Sequence, residues 1–227
     1  MRYLFVGDSM TIGSAGDHTW RYRMWRHLSA LGEPFAITGS RTALYDREAD
    51  APVSHRYADP AFPASARGHF AGWGEGWLQL APLVRAEVAE QRPDVLLISL
   101  GLIDLGFYTD AARTEESLRS FVAEARAASP SVRMVLLPVI PNTRAVSDAW
   151  FAAQCDELNV RTAKAVADLD TAASPLLLAS RPPGYDIHRD TYDGTHPNAA
   201  GEHRIAAAFA NAMHQAWGVG APYDLPD

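Results

Sequence analysis

The feature that most limits the fold of this chain is the apolar segment at residues 94–100, Asp-Val-Leu-Leu-Ile-Ser-Leu. A strand with one wet face alternates apolar and polar residues, whereas this segment is apolar almost throughout. Strands of this kind are buried on both faces, as in a parallel sheet that is covered by helices on each side. Gly101 ends the run. The segment therefore predicts an α/β fold with this strand near its centre.

Other short apolar runs alternate with segments of helical spacing. The predicted strands are residues 3–6, 35–38, 132–139 and 175–178, and the predicted helices are residues 17–31, 76–91, 110–128, 147–169 and a last helix ending near Trp217. This alternation predicts a parallel sheet with right-handed crossovers. Because the chain has 227 residues and no repeat or linker, we predict a single domain over residues 1–227.

Residues 39–74 show no clear periodicity and are rich in Pro, Ala, Asp and Arg, with scattered aromatic residues. A loop of this length in a compact domain is either functional or contains an element that the pattern does not reveal. We expect a loop with short helical turns that shapes a substrate site. The alternative is a surface excursion packed by its own aromatic side chains.

Composition excludes several classes of partner. The net charge is −7 and no basic cluster stands out, which argues against a nucleic-acid partner. No apolar run is long enough to cross a bilayer, and Met1-Arg2 leads directly into the first strand, so we expect a cytoplasmic protein without a membrane partner. His55 and His69 have no carboxylate or cysteine at ligand spacing, so no metal site is predicted.

Polar residues follow the ends of several predicted strands. Ser9 follows the first strand, residues 101–104 follow the third, Asn142 follows the fourth, and Asp193 and His196 follow the fifth. The carboxyl ends of parallel strands meet at one edge of the sheet, where ligands bind in open α/β folds. The sequence therefore predicts a site at this edge.

Ser9, Asp193 and His196 are the candidate catalytic residues. A serine hydroxyl is a weak nucleophile and needs an adjacent base, which a histidine oriented by a carboxylate can supply. Asp193 and His196 are three residues apart in one turn, so the carboxylate can reach the ring. Gly-Asp-Ser alone is a weak signal, because serine is common in turns and Asp8 can simply accept backbone N–H groups there.

The two end motifs resemble those of the SGNH (GDSL-type) hydrolase superfamily. They read Gly-Asp-Ser at residues 7–9 and Asp-Gly-Thr-His at residues 193–196, and residues 16–28 and 68–73 are also similar to one branch. The resemblance covers nearly the whole chain. It implies a three-layer α/β/α fold whose five-stranded parallel sheet has the flavodoxin-like order 2-1-3-4-5. It also implies a serine esterase without cofactor that forms an acyl-enzyme on Ser9.

The resemblance further implies three donors for an oxyanion hole. The first is the N–H of Ser9, and the second is the N–H of Gly72, with Gly39 as a weaker candidate. The third is an asparagine side chain in a Gly-x-Asn-Asp motif, but Ile103 stands at that position here. Losing one oxyanion donor typically costs about 2.7–4 kcal/mol of transition-state stabilisation. The sequence therefore predicts an intact triad beside an atypical oxyanion hole.

Three functions remain open at this point. The chain can be a hydrolase with a substitute donor, such as Asn142, since an ionised Asp104 would repel an oxyanion. It can be an acyltransferase or another acyl enzyme of a biosynthetic pathway, or it can bind a ligand without turnover. In each case the partner is a small-molecule ester or acyl compound, and the candidate pocket residues are Asp8, Trp73, Ile103, Asp104 and Asn142. The sequence does not predict an oligomeric state.

Overall fold

A computed structural model describes residues 1–226, and Asp227, the last residue of the predicted domain, lies outside the described part. The strands are β1 (Arg2–Gly7), β2 (Ala36–Thr38), β3 (Leu44–Asp46), β4 (Ala51–Ser54), β5 (Phe70–Ala71), β6 (Val95–Ser99), β7 (Arg133–Leu136) and β8 (Leu176–Leu178). The main sheet runs in the order β2-β1-β6-β7-β8, and all of its pairs are parallel. The predicted five-strand order is thus confirmed.

A sixth strand joins this sheet, which the sequence did not predict. β5 has only two residues and pairs with β1 at Val6 and Gly7, whereas β2 pairs with β1 at residues 2–4. The two short strands therefore share the same edge of β1, one after the other. This placement brings the residues that follow β5 to the carboxyl end of β1.

Helices cover both faces of the sheet. They are α1 (Ser9–Ile12), α2 (Trp20–Ala30), α3 (Trp77–Leu80), α4 (Val84–Gln91), α5 (Ala111–Ala128), α6 (Arg144–Ser147), α7 (Ala149–Leu169) and α8 (Ala199–Trp217). Helices α2 and α8 pack on one face, and α3, α4, α5 and α7 pack on the other. The three-layer arrangement agrees with the prediction.

β6 shows why the central apolar run was informative. Val95 and Leu97 belong to the core under α2 and α8, while Leu96 and Ile98 belong to the core on the opposite face. All four side chains are fully buried. Because successive side chains of a strand point to opposite faces, a strand covered on both sides must be apolar at every position.

The segment at residues 39–74 contains more structure than the expected loop with helical turns. It holds the antiparallel hairpin β3–β4, a 3₁₀ turn at Ala64–Ala66 and β5. The hairpin is fixed to the chain after α1, because the N–H of Tyr45 donates to the Gly13 carbonyl at 2.9 Å and the Tyr45 carbonyl accepts from Ala15 at 2.8 Å. The strands escaped prediction because none of them forms an apolar run: they read Leu-Tyr-Asp, Ala-Pro-Val-Ser and Phe-Ala.

Three helix boundaries also differ from the prediction. The helix expected at residues 76–91 is divided into α3 and α4 by a turn near Leu83, whose side chain is exposed. α2 begins at Trp20 with Thr19 as its N-cap, because the Asp17 carboxylate accepts the N–H of Ser14 instead. The helix expected to begin at residue 147 begins as α7 at Ala149, after the short α6, and Asp148 caps it by accepting the N–H of Phe151.

Candidate active site

Ser9 lies where β1 turns into α1. Asp8 is the N-cap of α1, and its side chain accepts the N–H of Met10 at 3.0 Å. A Cβ atom at Gly7 would lie 2.8 Å from the Ser99 carbonyl oxygen, so only glycine fits at this crowded bend. The local sequence thus holds Ser9 at the carboxyl edge of the sheet.

The turn before α8 brings the histidine and its carboxylate to the same edge. Asp193 Oδ1 accepts the N–H groups of Thr195 at 3.0 Å and His196 at 2.8 Å, which fixes the carboxylate within its own turn. Gly194 adopts a left-handed φ of 83°. Its carbonyl accepts the N–H of Thr143 at 2.9 Å, which ties the turn to the loop after β7.

The three candidate catalytic side chains form one hydrogen-bonded chain. Ser9 Oγ lies 2.9 Å from His196 Nε2, and His196 Nδ1 lies 2.7 Å from Asp193 Oδ2. The carboxylate favours the ring tautomer with its proton on Nδ1, which leaves Nε2 free to accept the serine proton. Ser9 and His196 are 187 residues apart in sequence, so the fold alone makes this contact.

Asp193 is a carboxylate at neutral pH. Its partial burial acts to raise the pKa, but the hydrogen bonds from the His196 backbone and ring outweigh this effect and hold the pKa below its usual value. A carboxylate in this position can stabilise an imidazolium that forms when His196 takes up a proton. The arrangement is therefore suited to nucleophilic attack by the Ser9 hydroxyl.

Ser9 and His196 lie on the wall of a cleft of about 400 Å³. The cleft is lined by Ser9, Trp73, Gly74, Leu102, Ile103, Gly106, Phe107, Tyr108, Asn142, Arg144, Phe151, Thr195 and His196. Most of this lining is apolar or aromatic, so the cleft suits a substrate with an apolar part. Three of the predicted pocket residues, Trp73, Ile103 and Asn142, do line it.

Asp8 and Asp104, the other two predicted pocket residues, do not line the cleft. Both are buried. The Asp104 carboxylate accepts the N–H groups of Trp77 and Leu78, each at 3.0 Å, and so anchors the start of α3. Asp8 caps α1, and its burial, with a smaller contribution from the charge of Asp104, raises its pKa to about 7. These two predictions are corrected: the carboxylates hold the backbone around the cleft.

The predicted oxyanion donor Gly72 also has a different role. Its N–H donates to the Gly7 carbonyl at 3.1 Å, because the chain continues the pairing of β5 with β1. The weaker candidate, Gly39, donates its N–H to the Gln91 side chain at 3.2 Å. Among the described residues no acceptor takes the N–H of Ser9 or of Gly74, and both residues line the cleft.

Asn142 retains a donor that can face a ligand. Its Oδ1 atom accepts the N–H of Arg144 at 3.1 Å, which leaves the amide nitrogen as the group available to the cleft. The Arg144 guanidinium also lines the cleft, but it is already engaged there: it donates to the Gly106 carbonyl, pairs with Asp148 and lies over the Phe151 ring at 4.5 Å. Asn142 is thus the side-chain amide in the cleft where Ile103 offers none.

Several residues of the site were missed by sequence reasoning. Phe107 and Tyr108 are exposed aromatic residues in a short π-helical turn after β6, and their place after a predicted strand end was an available signal. Phe151 is buried on α7 and gives no such signal, because an inward aromatic residue on a helix reads as core. Tyr45 and Tyr192 are joined to the site by ring contacts that the sequence does not reveal.

Comparison with known proteins agrees with this geometry. Residues 5–204 match the GDSL-like lipase/acylhydrolase family. The chain belongs to this family. It is therefore an SGNH-type hydrolase, and ester hydrolysis is the general reaction that the family name describes. The predicted resemblance is confirmed.

Solved structures give the same fold for this family member. A serine-to-alanine variant of an acetyl esterase with an acetate ion has a TM-score of 0.75 at 23% identity, covering 95% of this chain and 97% of that chain. A family 3 carbohydrate esterase from Talaromyces cellulolyticus gives 0.76 at 24% identity, with the same coverage. One from Clostridium thermocellum gives 0.73 at 19% identity, covering 95% and 96%. At these identities the likeness shows the fold alone.

No curated protein has a sequence that matches this chain. Within residues 1–226, no helix combines the length and apolar character needed to cross a membrane. Over the same described range, no three His, Cys, Asp or Glu side chains cluster in a way that could hold a metal ion.

Proposed function

We propose that this family member is a serine esterase that cleaves a small carboxylic ester through an acyl-enzyme on Ser9. The observation that carries the proposal is the hydrogen-bonded chain from Ser9 through the His196 ring to Asp193, which opens on an apolar cleft. Each step of the proposed reaction uses groups of this chain and a water molecule.

In the first half-reaction, Ser9 Oγ attacks the ester carbonyl carbon while His196 Nε2 takes the hydroxyl proton. The tetrahedral intermediate collapses as the bond to the alcohol oxygen breaks, and His196 returns the proton to that oxygen. In the second half-reaction, a water molecule gives its proton to His196 and attacks the acyl carbon. Collapse releases the carboxylic acid and restores the Ser9 hydroxyl.

The proposed oxyanion donors are the backbone N–H groups of Ser9 and Gly74, together with the side-chain amide of Asn142. All three residues line the cleft, and none of these donors is committed to another described residue. Ile103 cannot donate a hydrogen bond, so this set replaces the usual asparagine of the third motif. A donor aimed at the developing oxyanion is typically worth about 10²–10³ in rate.

The apolar walls of the cleft suggest the part of the substrate that it holds. Leu102, Ile103 and Phe107 line the same cleft as Ser9, and Phe107 is largely exposed there. Burying such surface against an acyl chain contributes about 25 cal/mol per Å². We therefore propose an ester whose acyl group is larger than acetyl, the group named for one of the structural neighbours.

Acyl transfer is the second candidate function. It is favoured by Ile103, which is only 8% exposed beside the nucleophile and offers water no hydrogen bond. In this case an alcohol or amine acceptor replaces water in the second half-reaction. The acyl-enzyme on Ser9 is common to both functions.

The test is turnover of p-nitrophenyl esters from acetate to octanoate by the wild type and by Ser9→Ala. We expect the wild type to prefer the longer acyl groups and the variant to lose activity. Addition of an alcohol or amine separates the two functions, because a transferase directs most product to the acceptor. Equal turnover by Ser9→Ala would refute the proposal, and binding of the ester without turnover by the wild type would support a ligand-binding protein.

A further inference from the structure

A column of aromatic rings stands against the catalytic histidine. The rings of Tyr45 and Trp73 stack with centroids 4.1 Å apart and an interplanar angle of 11°. Trp73 in turn stacks on the His196 ring at 4.8 Å and 15°. A second ring, Tyr192, stacks on His196 at 5.8 Å and 18°. These near-parallel angles mean that His196 meets aromatic faces rather than edges.

The column is held from outside the cleft by the β3–β4 hairpin. Tyr45 belongs to β3, its backbone is bonded to the segment after α1, and its hydroxyl is hydrogen-bonded to Asp50. Trp73 is the second residue after β5. It directly follows Gly72, whose N–H is bonded to the Gly7 carbonyl of β1. Both rings are therefore attached to fixed backbone before they meet His196.

The same hairpin also supplies a contact with Asp193 and with the Tyr192 ring. Arg47 lies one residue beyond β3, with its guanidinium over the Tyr192 ring at 5.6 Å and Nη2 at 3.7 Å from Asp193 Oδ2. The Tyr192 hydroxyl lies 3.3 Å from Ser14 Oγ. Arg47 is half exposed, so its electrostatic contribution is small in salt. The aromatic rings are therefore the more rigid part of the environment of His196. Asp17, in the segment before α2, is a further charged group near His196: burial raises the pKa of its carboxyl, and the charge of His196 acts in the opposite direction.

An aromatic face affects a histidine in two ways. It limits rotation of the imidazole ring about its side-chain bonds, which keeps Nε2 aimed at the nucleophile. It also attracts the imidazolium more than the neutral ring, because the face of the aromatic ring carries negative charge density. In the proposed reaction the imidazolium exists only after Ser9 has given up its proton, so this attraction favours the transition state over the ground state.

We propose that Trp73, supported from behind by Tyr45, is a positioning residue that orients His196 and stabilises its protonated form. This role rests on the proposed function of Ser9 and His196. It gives the hairpin, which lies outside the cleft, a specific part in turnover. Trp73 acts through the histidine and takes no proton itself.

The experiment compares Trp73→Leu with Trp73→Phe by measuring kcat/KM for p-nitrophenyl butyrate as a function of pH. We expect Trp73→Leu to lower kcat/KM about fivefold and to move the midpoint of the acid limb down by about half a pH unit. Trp73→Phe restores most of both values because it keeps an aromatic face. We expect Tyr45→Leu to lower kcat/KM and the acid midpoint in the same direction as Trp73→Leu, but by less.

A matched control is Trp217→Leu, which removes a tryptophan at the end of α8, far along the chain from the site. We expect its kcat/KM and acid midpoint to equal those of the wild type, and thermal unfolding of each variant shows whether the fold is retained. An unchanged acid midpoint in a folded Trp73→Leu protein would overturn the positioning role. Equal losses in Trp73→Phe and Trp73→Leu would also overturn it, since size alone would then explain them.

The two proposals fail in distinguishable ways. If Ser9→Ala removes activity while Trp73→Leu leaves the pH profile unchanged, only the positioning role is wrong. If Ser9→Ala retains the activity of the wild type, the proposed catalytic function fails first, and the positioning role fails with it.

Discussion

The polar and apolar halves of the active site are built in different ways. The polar half comes from two short turns, at residues 7–12 and 193–196, in which the carboxylates of Asp8 and Asp193 accept backbone N–H groups within three residues. The apolar half comes from residues 70–74 and 101–108, whose placement depends on contacts with distant segments, such as the bond from Gly72 to Gly7. A local turn can be read from a motif, whereas a contact between distant segments cannot.

This difference between the two halves bears on the proposed reaction. A change inside either turn removes a hydrogen bond on which the nucleophile or the base depends directly. On the apolar side, Ile103 offers no side-chain donor, and the proposed oxyanion donors Gly74 and Asn142 line the same cleft. We propose that the two turns supply the nucleophile and the base, while the opposite wall supplies further oxyanion donors and the contacts with the substrate.

The largest effect is expected from a change in the polar half, Asp193→Asn. The asparagine amide would favour the wrong histidine tautomer and could not stabilise an imidazolium, so kcat should fall by about 10⁴-fold. Ester turnover measured against Asp156→Asn, an exposed change on α7, checks this expectation. A loss of less than about tenfold would mean that another group orients His196, and the contrast between the two halves would then weaken.

A smaller effect in the opposite direction is expected from the apolar half. Ile103→Asn introduces a side-chain amide at the position where the family resemblance implies one, and we expect simple ester hydrolysis to rise by up to about a hundredfold. Ile103→Leu is the matched control, because it keeps an apolar side chain of similar volume. If Ile103→Asn is neutral or slower, then Gly74 and Asn142 already complete the oxyanion hole, or a different acyl chemistry occupies that position.

The smallest effect concerns the stability of the Ser9 turn. Burial raises the pKa of Asp8 from the usual 3.8 to about 7 in the folded protein. The folded state therefore binds its proton more tightly than the unfolded state, and this group costs stability as pH rises from about 4 to about 7. Asp8→Asn keeps the acceptor oxygen for Met10 but has no charge to bury.

Chemical denaturation of both proteins between pH 4 and pH 7.5 measures the Asp8 contribution. We expect the unfolding free energy of Asp8→Asn minus that of the wild type to increase by about 2 kcal/mol from pH 4 to pH 7.5. The full pKa shift of Asp8 sets an upper limit of about 4 kcal/mol on this increase. Burial lowers the pKa of His203 to about 4, which gives both proteins the opposite dependence of stability on pH. The difference between the two unfolding free energies cancels this contribution. A difference that is constant with pH would show that Asp8 is already ionised in the fold.

The sequence predicted the parts of the molecule that local physics determines. The parallel sheet followed from apolar runs that alternate with helical segments, whereas the order of its strands was implied by the family resemblance. The candidate triad followed from two turns, one at the end of β1 and one before α8. The two-residue strand β5 has no periodicity to detect, so the N–H of Gly72 was assigned to an oxyanion when it is bonded to Gly7. The stack of Tyr45 on Trp73 joins residues 28 positions apart through a hairpin that the pattern does not show.

The most direct test of the account is covalent labelling with a serine-directed fluorophosphonate, read by intact mass and peptide mapping. We expect one adduct per chain on Ser9 of the wild type and no adduct on Ser9→Ala. We also expect labelling to be strongly slowed in Asp193→Asn. An adduct on a different residue, or equal labelling of the wild type and Ser9→Ala, would contradict the claim that Ser9 is the nucleophile.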